Sequence, residues 1–170
     1  MAETLTLYKL IILKMLELSD SPLSNSRISD FILEKSYTNY FSLQQALSEM
    51  AQTGHVTSLT KANSTLYKIT ENGKNTLDYL GSKLTGAICK DIQDYIKENK
   101  LEIQNELSTT ADYYPGSGSD YLVRCQVREQ ESVLIDLTLS VPSQKEAASI
   151  CANWQRKSQE VYAYVMKELL

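Results

Sequence analysis

Apolar residues recur at helical spacing through the first half of the chain, and polar breaks divide this half into successive predicted helices. Over Thr4–Leu18 the apolar residues exceed what one helix face can hold, so this first helix should contact partners on more than one side. Ser24 is placed to cap a second helix that continues to about Lys35. Ser42 has the spacing of a capping box with Gln45 and is predicted to open a third helix, which ends near residue 53.

A β-hairpin and a fourth helix are predicted after the third helix. Gly54 is placed to end that helix, because glycine readily adopts the backbone conformation found there. The segments His55–Leu59 and Thr65–Ile69 have the composition of short strands, and they flank the polar tip Lys61–Ser64. Glu71–Gly73 then starts a fourth helix.

The second half of the chain combines one long helical stretch with two alternating segments. A single apolar stripe runs along residues 82–107, and its pattern is compatible with a kink near Asn99. Apolar and polar residues alternate over Tyr121–Val127 and again over Val133–Val141, which predicts an antiparallel hairpin with one face in the core. Pro142 and Ser143 start a last helix that is long enough to cover this hairpin.

These elements predict an α+β protein with three parts. Residues 1–81 form a winged helix-turn-helix domain, residues 82–107 a connecting and dimerisation helix, and residues 108–170 a small ββα module for dimerisation or effector binding. Ser108–Asp120 reads as one extended loop and is the predicted module boundary.

The composition limits the classes of function. The 170 residues are 42% apolar and carry a formal net charge of -4, so the chain should fold and has no overall basic field to attract nucleic acid or membranes. The three cysteines form no C-x-x-C pair and His55 is the only histidine, so we expect neither a disulfide framework nor a metal site. Because the first apolar run is flanked by lysines, we expect neither a signal peptide nor a spanning helix, and hence a cytoplasmic protein.

No side chains have the arrangement of a catalytic site. His55 lies at the base of the predicted hairpin, and no cysteine has a suitable partner for nucleophilic catalysis. We therefore expect that the protein is not an enzyme and uses no cofactor.

The order of elements over residues 4–81 is typical of a winged helix-turn-helix, in which the third helix enters the major groove of DNA. Two patterns place the end of the third helix, the return of the hairpin and the start of the next helix. They are Leu47-x-x-Met50-x-x-x-Gly54-x-Val56 and Leu66-Tyr67-x-Ile69-Thr70-x-x-Gly73. With these patterns the chain resembles winged-helix regulators of the PadR and MarR type.

Three further segments carry a closer resemblance: Tyr8–Leu13, Ile28–Leu33 and Tyr37–Leu47. They resemble a bacterial family called domain of unknown function 4364, and the resemblance spans nearly the whole chain. It implies a winged-helix N-terminal half and a small α+β C-terminal half. The family name establishes no activity, so the resemblance supports a fold more than a function.

The resemblance implies a surface for duplex DNA around the third helix. Residues of this helix outside its core stripe would read bases, since glutamine can pair with adenine through two hydrogen bonds, and the neighbouring polar residues would contact phosphates. The implied residues are Ser42, Gln44, Gln45 and Ser48 on the third helix, Tyr37, Thr38, Asn39 and Tyr40 before it, Ser24, Asn25 and Arg27 at the start of the second helix, and Lys61, Asn63 and Lys68 on the hairpin.

The charge of this half favours a different interpretation. Residues 1–80 contain 7 Lys and Arg against 8 Asp and Glu, and the third helix has no basic residue but carries Glu49. DNA-binding modules are usually basic. A winged helix that binds a protein partner instead of DNA therefore remains open.

The predicted C-terminal hairpin allows two interpretations of its arginines. If Arg128 is opposite Ser132, the register places Arg124 opposite Asp136, which favours a cross-strand ion pair. The functional alternative is a site where Arg124 and Arg128 bind a small anionic effector. We also expect a homodimer, whose interface would use surplus apolar surface on the first helix, the stretch from Ser82 and the last helix.

Overall fold

The structure, a computed structural model, describes residues 2–61 and 64–170. These residues form two compact units, residues 1–101 and residues 102–170, which we call unit 1 and unit 2. Each unit combines helices with a small antiparallel sheet of three strands. The α+β class that the sequence predicts is therefore confirmed.

Unit 1 combines helices with three short strands. The sheet has the order β1-β3-β2, and its first strand, which the sequence did not predict, pairs Leu23 with Tyr67. In chain order the elements are α1 (Ala2–Ser19), β1 (Leu23–Ser24), α2 (Asn25–Glu34), α3 (Tyr40–Gln52), β2 (Val56–Lys61), β3 (Ser64–Ile69), α4 (Glu71–Leu80), a 3-10 turn (Gly81–Lys83) and α5 (Gly86–Glu98).

Helix α1 forms the centre of the core of unit 1. It packs against α3, α4, α5 and β3. Its central apolar residues are all at most 2% exposed: Leu10, Ile11, Ile12, Leu13, Met15 and Leu16. The prediction that α1 contacts partners on several sides is confirmed, but these partners belong to the same chain. The expectation that this part of α1 offers surplus apolar surface to a second subunit is wrong.

The ends of α2 and α3 follow from side-chain caps. Ser24 caps α2 as predicted, because its Oγ accepts a hydrogen bond of 3.0 Å from the backbone N–H of Arg27. Helix α3 begins at Tyr40 and not at Ser42, because Asn39 Oδ1 accepts from the backbone N–H of Ser42 at 2.9 Å. Asparagine is as good a cap as serine, and here it starts the helix earlier than the predicted capping box. Gly54 follows the helix with φ of +78°.

The helical stretch predicted for residues 82–107 is divided into two helices. Helix α5 ends at Glu98. Asn99 follows as its C-cap and donates from Nδ2 to the carbonyl oxygen of Tyr95 at 2.9 Å, and α6 (Lys100–Ser108) begins directly after Asn99. The interruption lies at the predicted kink. Helix α6 also crosses the boundary between the two units.

Unit 2 contains one strand more than the sequence predicts. After α6 come β4 (Thr109–Pro115), β5 (Tyr121–Glu129), β6 (Ser132–Val141) and α7 (Gln144–Leu169), with the sheet order β4-β5-β6. The expected loop over Ser108–Asp120 is therefore wrong for β4, and the module is βββα and not ββα. The physical reason is pairing with β5, which places Ala111 and Tyr113 against the core of unit 2.

Helix α7 covers one face of the sheet in unit 2. The core beneath it contains Val123 and Cys125 of β5, which are 0% and 1% exposed, with Ala147 and Cys151 of α7. Trp154 is 5% exposed, and its Nε1 donates to the backbone carbonyl of Gln126 at 3.1 Å. This hydrogen bond ties the middle of α7 to the central strand.

The buried cysteines give a prediction about thiol reactivity. Burial raises the pKa of Cys125 to about 11 and also raises the pKa of Cys151, so both thiols are protonated and inaccessible in the folded protein. At neutral pH we expect alkylation of the half-buried Cys89 first, and of the other two only as unit 2 unfolds. Peptide mass spectrometry after timed labelling measures this order. Labelling of Cys125 as fast as Cys89 in the native protein would contradict it.

Candidate nucleic-acid interface

Helix α3 divides into a buried face and an exposed face. Leu43, Leu47 and Met50 are buried, as the sequence predicts. Of the residues predicted to contact DNA on this helix, Gln45 and Ser48 are exposed, whereas Ser42 and Gln44 are half-buried. Two of the four side chains predicted on this helix are therefore exposed to solvent.

Gln44 and Asn25 bind each other. Asn25 Nδ2 donates to Gln44 Oε1, and Gln44 Nε2 donates to Asn25 Oδ1, both at 2.9 Å. Ser29 Oγ adds a third hydrogen bond to Asn25 Oδ1 at 3.0 Å. These side chains connect α2 to α3, so reading a base with Gln44 would require breaking a pair of hydrogen bonds within unit 1.

The negative charge of Glu49, the single acidic residue on α3, is compensated by a lysine. Glu49 accepts a hydrogen bond of 2.6 Å from Lys9 Nζ, which lowers the pKa of this carboxyl group and keeps it ionised. Gln45 Nε2 donates to the other oxygen of Glu49 at 2.9 Å. This contact orients Gln45 on the exposed surface, and Lys9 offsets the negative charge that would repel phosphates.

The segment before α3 points partly into unit 1. Tyr37 donates from its hydroxyl to Asp91 Oδ2 at 2.6 Å, and burial, together with this carboxylate, raises the pKa of Tyr37 to about 12. Arg27 Nη1 donates to Asn99 Oδ1 at 3.3 Å. Both predicted phosphate contacts therefore have partners within the unit. Asn39 is occupied as the cap of α3, and Thr38 is half-buried.

The hairpin of β2 and β3 carries the predicted cations. Lys68 is exposed on β3 and pairs in register with Thr57 of β2, a strand that contacts α3. Lys61 is the last residue of β2, and its side chain lies outside the described part of the chain, as does all of Asn63. Lys68 is thus the hairpin cation whose exposure the structure establishes.

Two exposed aromatic rings lie in the first turn of α3. Tyr40 is 53% exposed and Phe41 is 84% exposed, and their rings meet edge to face with centroids 6.3 Å apart. The sequence predicts a phosphate contact for Tyr40 and no role for Phe41. The helical period could have identified Phe41, because it falls outside the buried stripe that begins at Leu43.

Two arginines of unit 2, Arg124 and Arg128, lie on strand β5 of the sheet. Arg124 binds Asp136 with two hydrogen bonds, 3.1 Å from Nε and 2.7 Å from Nη2, and these bonds lower the pKa of Asp136. The predicted register is wrong. Glu129 and not Arg128 lies opposite Ser132, and a β-bulge between Val127 and Arg128 shifts the pairing by one more residue, so Arg124 lies opposite Thr138. The ion pair forms diagonally. Arg128 instead lines a shallow groove with Gln104, Ser108 and Gln130.

Two other kinds of feature are absent from the described residues, 2–61 and 64–170. Nowhere in these ranges do three or more His, Cys, Asp or Glu side chains gather as they would around a metal ion. The helices described there also lack the length and apolar character needed to cross a membrane.

Comparison with known proteins identifies a family but no characterised relative. No curated protein and no solved structure matches the sequence significantly. The model of one family matches residues 8–169, which is nearly the whole chain and includes both units. The chain therefore belongs to the family described as Domain of unknown function (DUF4364).

Proposed function

We propose that the protein is a transcriptional regulator that binds duplex DNA as a homodimer, and that unit 1 is a winged helix-turn-helix of the general type found in PadR and MarR regulators. The proposal is carried by the order of elements in unit 1. Helices α2 and α3 are followed by the β2–β3 hairpin, and β3 is the central strand of the sheet β1-β3-β2. In this arrangement α3 is the recognition helix and the hairpin is the wing.

The exposed residues of α3 define which contacts could read sequence. Gln45 and Ser48 face solvent, and Gln45 is oriented by its hydrogen bond to Glu49. Gln44 does not face solvent fully, and its two hydrogen bonds with Asn25 hold α3 against α2. We therefore assign base reading to Gln45 and Ser48, and phosphate contact to the exposed Lys68 of the wing.

The small number of cations sets the expected strength of binding. DNA affinity grows with the number of phosphates that a protein neutralises, and one wing with few lysines neutralises few. A homodimer doubles these contacts and binds two half-sites about one helical turn apart. Modest affinity, strongly dependent on salt, is the expected behaviour.

Selection from pooled random duplex DNA, at low and at physiological salt, tests the proposal. We expect an enriched motif with two-fold symmetry, lost in Gln45→Ala and kept in Gln93→Ala, which removes an exposed glutamine from α5. Lys68→Ala should weaken binding to all sequences and reduce the slope of log affinity against log salt by about one per subunit, whereas Lys90→Ala should not. Absence of enrichment at both salt concentrations would refute DNA binding.

A second candidate function is a protein-interaction module, and the exposed rings of Tyr40 and Phe41 favour it. Aromatic residues are enriched in the cores of protein interfaces, and the chain as a whole is acidic. For this function, Phe41→Ala would abolish binding of the partner while salt changes it little. Binding of a small anionic effector is a third and less favoured hypothesis, because Arg124 already forms an ion pair with Asp136.

A further inference from the structure

Strand β6 forms an open edge of the sheet in unit 2. In the described part of the chain it pairs with β5 alone, so its other side carries backbone N–H and C=O groups without a strand partner. The β-bulge interrupts its first residues, and Pro142 follows its last. Between these limits, Ile135–Val141 pairs with Tyr121–Val127 in unbroken register. A regular edge of this length is a template for pairing with another strand.

The apolar face of β6 is also incompletely covered. Val123 of β5 is fully buried beneath α7, whereas Leu139, which lies opposite Val123 and on the same face, is 41% exposed. Helix α7 packs mainly over β4 and β5. Strand β6 therefore has both unpaired backbone groups along its edge and exposed apolar side chains on one face, and both can bind another strand.

Charge does not protect this edge. Natural edge strands often carry lysine or an unpaired inward charge that prevents association. Asp136 is the only charged residue in β6, and Arg124 and Gln126 of the neighbouring strand both bind it, at 2.7 Å and 3.0 Å to Oδ2. The negative charge is thus compensated within the same sheet.

We infer that β6 pairs antiparallel with β6 of a second copy of this chain, with the two-fold axis at Thr138. The two copies would then share a continuous sheet of six strands, with both α7 helices on one face. This inference rests on the homodimer of the proposed function. It assigns the dimer interface to strand β6, whereas the sequence predicts an interface formed by helices.

The sequence of the regular edge is self-complementary in this register. Leu137 of one copy lies opposite Leu139 of the other, and Ile135 lies opposite Val141, so apolar side chains meet on the face that α7 covers. On the other face the two Thr138 residues lie opposite each other, and Asp136 lies opposite Ser140. Moving the axis to Asp136 would place two carboxylates directly opposite, which is unfavourable.

Disulfide crosslinking of the full chain tests this register. At the axis, the two Thr138 Cα atoms would lie about 5 Å apart, within the range of a disulfide, whereas the two Ser140 Cα atoms would lie about 14 Å apart. Both side chains are exposed on the same face. We expect Thr138→Cys to give a crosslinked dimer under mild oxidation without DNA, and Ser140→Cys and the wild type, with its native cysteines, to give none.

A charge at the edge provides a second test that does not depend on oxidation. We expect Leu139→Lys to weaken dimerisation roughly 100-fold in sedimentation equilibrium, because it buries an uncompensated ammonium group opposite Leu137 of the other copy. Tyr79→Lys, which changes an 86% exposed residue of unit 1, should leave dimerisation unchanged. Circular dichroism confirms that both variants are folded.

The outcomes separate this inference from the proposed function. A dimer that neither crosslinks at Thr138→Cys nor weakens in Leu139→Lys would overturn the β6 interface and leave DNA binding by another dimer intact. A wild-type protein that remains monomeric at every concentration would overturn both the interface and the homodimer. Loss of DNA selection with crosslinking retained would refute DNA binding alone.

Discussion

Gly73→Ala is expected to destabilise unit 1 by about 3 kcal/mol or more, although alanine ordinarily favours a helix. Gly73 lies buried in the first turn of α4, and a Cβ atom there would overlap the carbonyl oxygen of His55. It would also lie 2.9 Å from Ile69 Cγ1 and 3.1 Å from Leu13 Cδ2. The new methyl group therefore meets backbone on one side and the core helix α1 on the other.

The surrounding structure leaves the carbonyl of His55 little freedom to move away. Thr70 donates to it from its backbone N–H at 3.1 Å. The Thr70 hydroxyl donates to the carbonyl of Gly54 at 2.6 Å and lies 3.0 Å from the His55 carbonyl, and it caps α4 by accepting from the N–H of Gly73. Relief of the overlap requires these hydrogen bonds to break or α4 to shift. The energetic cost therefore includes lost capping as well as steric strain.

Urea unfolding followed by circular dichroism measures this effect, and Gly86→Ala is its matched control. Gly86 also lies in the first turn of a helix, as the first residue of α5, but a Cβ atom there meets nothing within 4 Å. We expect Gly86→Ala to be neutral or to stabilise the protein by at most about 1 kcal/mol. Equal midpoints for the two variants would show that the close packing of α4 on the His55 carbonyl is wrong.

The sequence predicts those features that depend on local patterns. Helices α1, α2, α3 and α4 follow from apolar spacing and capping residues, and the hairpin follows from Gly54 and the strand composition on either side of its tip. The alternation over Tyr121–Val127 predicts β5 because one face is buried against α7. In these cases the element can be predicted from residues that are close to one another in the sequence.

The features that the sequence misses depend on partners distant in the chain. Strand β1 has only two residues, and it is a strand only because Leu23 and Ser24 pair with β3. Strand β4 contains the turn-forming residues Asp112 and Pro115, so its composition favours a loop, and pairing with β5 overrides that preference. The register of β5 and β6 also differs from the prediction, because Glu129 lies opposite Ser132 and a bulge at Val127 adds a shift of one more residue.

The candidate interface could be predicted by location but not by the state of its side chains. Periodicity separates the buried stripe of α3 from Gln45 and Ser48 without any structure. The pairing of Gln44 with Asn25 depends on how α2 crosses α3, and the contact of Tyr37 with Asp91 spans 54 positions in the sequence. Tertiary packing therefore decides which polar residues remain available to a partner.

Trp154→Ala is expected to destabilise unit 2 by about 3–5 kcal/mol, since it removes the largest side chain from the core between α7 and the sheet. Trp154 is 5% exposed and packs with Val123, Cys125 and Cys151. Truncation to alanine leaves a cavity in a unit of only 69 residues, whose small core has little capacity to compensate.

The indole nitrogen contributes a separate part of this effect. Nε1 donates to the carbonyl of Gln126, which directly precedes the bulge at Val127. Trp154→Phe keeps an aromatic ring but leaves that carbonyl without this partner, so we expect a smaller loss of about 1–2 kcal/mol. The intermediate variant separates the hydrogen bond from the packing.

Urea unfolding followed by circular dichroism ranks these variants, with Tyr164→Ala as the matched control on the exposed side of α7, where Tyr164 is 65% exposed. We expect the wild type and Tyr164→Ala to have the highest unfolding midpoints, Trp154→Phe a lower one and Trp154→Ala the lowest. Trp154 is the only tryptophan, so selectively excited tryptophan fluorescence of the wild type reports the unfolding of unit 2. If Trp154→Ala unfolds at the wild-type midpoint, the packing of α7 on the sheet through Trp154 is contradicted. The core that supports strand β6 would then differ from the one described.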